Sequence, residues 1–198
     1  MNNLWIPDRM KDYFVEREDE ILRALWQRET WRRVMFTAKQ IGANILAKIQ
    51  SHAGQHEEPM GSNSGPNVNN KLAYVGLAPG DPWCAAEASY DTGHVLEEMG
   101  LSHLTHLATG SSHEAVNWAL RHGTKRDATT CVSGDWLIEA GGDGEPASDG
   151  KSYHHTTILD YVDADGTCHW IGGNTGDRVA TGTCRIEDCF LLRAYVLV

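Results

Sequence analysis

The chain has no run approaching the roughly eighteen uncharged apolar residues needed to cross a bilayer, so nothing in it reads as a membrane span. Its first thirty residues lack an apolar stretch and a small-residue cleavage site, and charges recur from Asp8 onward, so no secretory signal is read there. The expectation is synthesis in the cytoplasm, with any target outside the cell reached after lysis, by injection or as part of a particle. Basic residues are scarce beyond residue 50: residues 1–50 carry nine Lys/Arg against seven Asp/Glu, and residues 51–198 carry eight against twenty. Without a basic footprint to displace counterions from phosphate, nucleic acid is not an expected partner, and adhesion to an anionic membrane or wall polymer is expected to be weak unless the N-terminal segment supplies it.

Metal and phosphate motifs are missing as well. His103 and His106 are three apart and Cys184 and Cys189 five apart, but neither pair has a second pair at zinc-site spacing, and the zinc-deaminase pattern is absent. The Gly-rich turn Gly141-Gly142-Asp143-Gly144 lacks the Lys-Ser/Thr and helix of a phosphate loop. It reads as a loop between strands running to Gly150, acidic enough to consider for calcium. No metal and no cofactor are expected. The five cysteines, Cys84, Cys131, Cys168, Cys184 and Cys189, are an odd number, and free thiols are the default; Cys168 and Cys184 are placed to meet across strands.

What is present is enough for one globular domain. The chain has 198 residues, 41% of them hydrophobic and 22% charged, with a net charge of −10. No proline falls between Pro7 and Pro59, and Met10, Phe14, Ile21, Leu25, Val34, Ile41, Ile45 and Ile49 recur at roughly helical spacing. This stretch is expected to be helical from an Asp8 N-cap, bent near Trp31 or Gly42. Residues 1–40 form an N-terminal helical extension in this reading, a candidate for self-association or docking, and residues 41–198 form the main domain.

A loop dense in turn formers covers residues 54–70, and a short helix is expected near Val68–Val75. A second runs from about Pro82 to Met99, with Asp81 as its N-cap, and a third opens on the capping box Ser111 to Glu114 and closes at His122-Gly123. From Cys131 the pattern turns to short runs broken by Gly, Asp and Ser, giving strands at Trp136–Glu139, Thr156–Val162, Thr167–Ile171, Thr183–Ile186 and Leu191–Leu197. Helices followed by strands predict an α+β fold with a small antiparallel sheet.

Placed in the first turn of its helix, Cys84 would meet unpaired N–H groups and the positive end of the dipole, which favour a thiolate. For a base, the turn Asp163-Ala164-Asp165-Gly166 is read as a four-residue hairpin loop, so that Val162 faces Thr167 and, on the same register, His155 faces Asn174. His154 then points to the opposite face, and a one-residue slip would exchange the two histidines. Cys84, His155 and Asn174 make a Cys-His-Asn set in which the amide orients the imidazole. A small buried cysteine, a strand-end histidine and a turn asparagine account for each residue taken singly.

The runs Glu57-Glu58-Pro59, Gly61-Ser62-Asn63-Ser64-Gly65-Pro66, Pro82-Trp83-Cys84-Ala85-Ala86, Ser133-Gly134-Asp135-Trp136, His155 before a strand, and Gly172-Gly173-Asn174-Thr175 together resemble the CHAP superfamily of cysteine, histidine-dependent amidohydrolases and peptidases, over about residues 40–198. The resemblance implies a papain-like fold with Cys84 as nucleophile, His155 as base and Asn174 as orienter. It implies hydrolysis of amide bonds in peptidoglycan, as by a phage endolysin or particle-associated lysin. Two residues depart from the pattern: Gly172 stands where many members have glutamate, and Glu87 stands where a large apolar residue is usual. An ionised Glu87 one turn from Cys84 would oppose a thiolate unless it faces solvent or a basic partner. A non-catalytic papain-like binding or assembly module and a delivered toxin-like amidase are the alternatives.

Overall fold

The computed structural model describes residues 37–143 and 146–197. The expected N-terminal extension therefore lies outside the described residues, apart from its last four positions. A compact unit runs from Ala38 to Val198. Its helices are α1 (Ala38–Ser51), α2 (Pro66–Tyr74), α3 (Cys84–Glu98) and α4 (Ser112–His122). Its strands are β1 (Lys125–Arg126), β2 (Trp136–Ala140), β3 (Tyr153–Val162), β4 (Thr167–Gly172), β5 (Ala180–Arg185) and β6 (Cys189–Leu192). The six strands form one antiparallel sheet in the order β1-β6-β2-β3-β4-β5, so the α+β layout is the one observed. No helix among the described residues is long and apolar enough to cross a membrane.

Helix α1 buries Ile41, Ile45 and Ile49, the same-face residues of its sequence pattern. It runs unbroken through Gly42, one of the two places offered for a bend; the other, Trp31, lies outside the described residues. A side chain at position 42 would strike the Ser133 carbonyl oxygen at 2.0 Å, and Gly134, in the left-handed region with φ 86°, backs onto Gly42 in turn. Glycine thus serves close helix-to-turn packing here and not a kink. Just beyond, Asp135 accepts two hydrogen bonds from Arg193, Nε to Oδ1 at 2.9 Å and Nη2 to Oδ2 at 3.0 Å, a buried forked pair that ties the start of β2 to the C-terminal segment.

Helix α3 is the central helix. Its small residues Ala85, Ala86, Ala88, Ser89, Thr92 and Gly93 are buried on several sides, between α1, α2 and the sheet. The Trp136 indole, on the helix-facing side of β2, donates to Thr92 Oγ1 at 3.0 Å. Asp81 does not cap this helix. Its carboxylate accepts the Ala78 N–H at 3.0 Å and closes the preceding turn, while Trp83 takes the N-cap position without a side-chain cap. Helix α4 has the expected ends: Ser111 Oγ accepts the Glu114 N–H, and Gly123 closes it in the left-handed conformation.

The sheet curls strongly. Four inter-strand spacings separate β5 from β6, about 19 Å if flat, yet only the short 3₁₀ turn Ile186–Asp188 joins them. Curling encloses a second core on the face away from the helices, built from Leu137, Leu159, Cys168, Trp170 and Leu191. Alternation along β3 assigns Thr156 and Ile158 to the helix side, with Ile158 opposite Trp136, and His155, Thr157 and Leu159 to the curled side.

Candidate active site

Cys84 is the first residue of α3, at 7% exposure. Hydrogen bonds from the Thr156 N–H, the Ala85 N–H, the Ser112 hydroxyl and its own N–H favour its thiolate. Ser112 and Thr156 also share a hydrogen bond, Oγ to Oγ1 at 2.7 Å, which fixes the start of α4 against β3 beside the thiol. Burial pushes the Cys84 thiol above its ordinary value, and the four donors offset this only in part. The helix start was expected to lower it, so desolvation outweighs the dipole here.

His155 leaves β3 on the curled side. Its ring lies edge-on to Trp170, with centroids 5.6 Å apart, and its Nε2 is 3.2 Å from Thr175 Oγ1. The Thr175 hydroxyl donates to the Gly172 carbonyl at 3.1 Å, so its oxygen is the acceptor toward the imidazole. That assigns the proton to Nε2 and the lone pair to Nδ1. Burial first, and His154 second, lower the His155 pKa to about 4, so the ring is neutral at pH 7. His154 is exposed and lies over Gly141 and Gly142.

Asn174 does not take the expected place. Its φ is 57°, which turns the chain off the end of β4, and its Nδ2 donates to Asn63 Oδ1 at 3.1 Å. Thr175, the next residue, holds the imidazole instead. Among the described residues no hydrogen bond joins Cys84 to His155 or His155 to Asn174. The three residues converge on one end of β3, but they are not linked as a triad.

Glu87 has basic partners and no solvent. Its side chain is fully buried, with Oε2 paired to Lys71 Nζ and Oε1 2.9 Å from His52 Nδ1. The same His52 nitrogen is 3.2 Å from Asp91 Oδ1, and Asp91 too is fully buried. Lys71 also donates to Gln55 Oε1 at 3.0 Å and sits 5.2 Å over the Trp83 ring. Two carboxylates thus face two cations, which keeps the carboxylate charge from bearing on the thiol alone. Hydrogen bonds to Asp91 and then Glu87 raise the His52 pKa to about 9, while burial raises that of Asp91 to about 6. His52, Glu87 and Asp91 place ligand-type atoms within 4.8 Å of one another, but Lys71 and a protonated His52 already balance the carboxylates.

The remaining motif residues support this frame. Glu57 is buried; its Oε1 accepts the Trp83 indole N–H and its Oε2 the Asn63 N–H, both at 2.8 Å. One carboxylate therefore fixes the residue before Cys84 and the loop that receives Asn174. At Gly172 a side chain would meet Thr157 Cγ2 at 2.6 Å, and at Gly173 the Trp83 ring at 2.5 Å. Any side chain at Gly172, a glutamate included, would require Thr157 to shift.

No family model, curated protein or solved structure matches this chain. Function is therefore argued from the site. Sequence reasoning passed over His52, Lys71, Asp91, Ser112, Thr156 and Thr175. Glu87 and Asp91, four apart on a helix otherwise lined with small residues, were the available signal that buried cations had to be nearby.

Proposed function

We propose that the chain is a papain-like cysteine amidohydrolase or peptidase that cleaves amide bonds of peptidoglycan, with Cys84 as nucleophile and His155 as base. The observation that carries this is the place of Cys84 as the first residue of α3, beside the hydrogen-bonded Ser112 and Thr156, where hydrogen bonds from the Thr156 N–H, the Ala85 N–H and the Ser112 hydroxyl favour its thiolate against burial. The same donors would stabilise an oxyanion formed on an attacked carbonyl. The CHAP resemblance supplies the substrate class.

In this mechanism Nδ1 of His155 takes the thiol proton as sulfur attacks the carbonyl and then delivers it to the leaving amine. Water deprotonated by the same nitrogen releases the acyl group from sulfur. Thr175 is the residue that keeps the proton on Nε2, and Asn174 serves the loop behind it. Cys84 and His155 address β3 from opposite faces, and the neutral thiol and neutral imidazole describe the resting enzyme. A phage lysin or a delivered toxin would use the same chemistry.

The separation of thiol and imidazole favours a second reading, a non-catalytic papain-like module that binds wall fragments or serves particle assembly. Digestion of purified peptidoglycan by wild type, Cys84→Ala and His155→Ala, with fragments identified by mass spectrometry, decides between them. Fragments from wild type alone establish the hydrolase and name the bond. Wall binding without fragments from any of the three transfers the case to the module.

A further inference from the structure

Cys184 and Cys189 lie at the β5–β6 connection of the curled sheet, and the proposed reaction uses neither. Cys184 is in β5 and Cys189 opens β6, and the 3₁₀ turn brings their sulfur atoms to 2.6 Å, in direct contact. Both are half-buried. Cys168, directly opposite Cys184 on β4, is a third thiol in the cluster and is fully buried in the inner core. The cross-strand pair Cys168 and Cys184 was the one suggested by sequence, yet the sulfur nearest Cys184 belongs to Cys189.

Cys189 also lines a cleft of about 380 Å³ whose walls carry Lys125, Arg126 and Lys151 together with Asp127 and Asp149. The two carboxylates are occupied locally: Asp127 accepts from Thr129 and Thr130, and Asp149 accepts from the Tyr153 hydroxyl and the Lys151 N–H. Among the described residues the three cations form no ion pair, and Lys125 lies 5.1 Å over the Phe190 ring. The lining thus carries three cations against two carboxylates, and Glu139, opposite Cys189 on β2, bears on both thiols with negative charge.

We propose that Cys184 and Cys189 are a redox-active dithiol that closes to a disulfide by exchange with a small anionic disulfide entering this cleft. One thiolate attacks a sulfur of the incoming disulfide, forms a mixed disulfide and releases one small thiolate. The second protein thiol then attacks the mixed disulfide, releases the second small thiolate and leaves the Cys184–Cys189 bond. Two electrons pass from the protein thiols to the incoming S–S bond, and the two thiol protons go to the released thiolates. The contact between the two sulfur atoms lowers the Cys184 pKa and places each thiol to resolve a mixed disulfide on the other, while the Cys189 S–H also has the Arg185 carbonyl as an acceptor at 3.2 Å. The new bond staples β5 to β6 and so fixes the curl of the sheet.

The test is exposure of the reduced full chain to oxidised glutathione, alkylation of the remaining thiols and peptide mapping. The expected product has lost two of five thiols and carries a Cys184–Cys189 link. Cys189→Ser should stop at one glutathione per chain, on Cys184. Lys151→Glu should slow the reaction with oxidised glutathione about tenfold at low salt and leave the rate with neutral hydroxyethyl disulfide unchanged. A link through Cys168, or no link in the wild-type chain, overturns the dithiol. Equal rates of wild type and Lys151→Glu with oxidised glutathione overturn the role of the cleft.

Discussion

Lys71→Met removes one of the two cations that face the Glu87 carboxylate. The side chains of Lys71 and Glu87 are 3% and 0% exposed, so water cannot take the place of the ammonium. Breaking a buried pair by deleting one partner costs about 3–5 kcal/mol. The variant also gives up the contact of the ammonium with the Trp83 ring and its hydrogen bond to Gln55. Against a typical domain stability of about 5–15 kcal/mol, and at about 2–4 °C per kcal/mol for a domain of this size, the melting temperature should fall by roughly 10 °C. Lys71→Met with Glu87→Gln removes both charges and should recover most of the loss, because the cost lies in an unpaired buried charge and not in a missing attraction. Thermal melts and urea unfolding of wild type, the single and the double variant measure the loss and its recovery. A single variant within about 1 kcal/mol of wild type, below the range for a broken buried pair, or a double variant no better than the single, would refute the claim that the pair neutralises Glu87.

Two further outcomes follow from neighbouring residues. The His52 pKa is raised to about 9 from its ordinary 6.5, so its stabilising charge is complete below pH 6.5 and is lost as pH rises through 9; thermal melts should show stability falling by on the order of 1–2 kcal/mol across that window once solvent screening at the ring's exposed edge is allowed for. His52→Gln should flatten the slope, and an unchanged slope would assign it to other groups. Gly172→Ala forces a methyl onto Thr157 Cγ2 and should cost about 1–3 kcal/mol in urea unfolding, with Gly172→Ala/Thr157→Ala regaining part of it, whereas equal costs in both variants would place the strain elsewhere.

Much of the fold was legible because it follows from local rules. The Ser111 cap and Gly123 stop of α4, the Ile41, Ile45 and Ile49 stripe of α1, and the strands β2 to β4 needed only periodicity and turn chemistry. What failed was tertiary in origin. Gly42 reads as a bend until Gly134 is found against it, and Asp81 reads as a cap until its carboxylate is found on Ala78. The curl of the sheet could not be read, because it follows from β6 inserting between β1 and β2 after a turn of three residues.

The site shows how a register can be right for a wrong reason. The expected loop pairs Val162 with Thr167, whereas the observed hairpin pairs Val162 with Cys168, one residue off. An irregularity between Leu159 and Tyr161 then restores the expected pairing at Leu159 with Trp170 and Ile158 with Ile171. Extended onward, that register does set His155 opposite Asn174. The pairing of β3 with β4 ends at Ile158 with Ile171, however, and the left-handed Asn174 turns its amide to Asn63. The hydroxyl of Thr175 therefore reaches the imidazole, and it does so as an acceptor because its proton is committed to Gly172. An asparagine in a Gly-Gly-Asn turn is suited to a left-handed conformation by its short polar side chain. That conformational fitness turns the Asn174 amide away from the imidazole and leaves the contact with His155 to its neighbour.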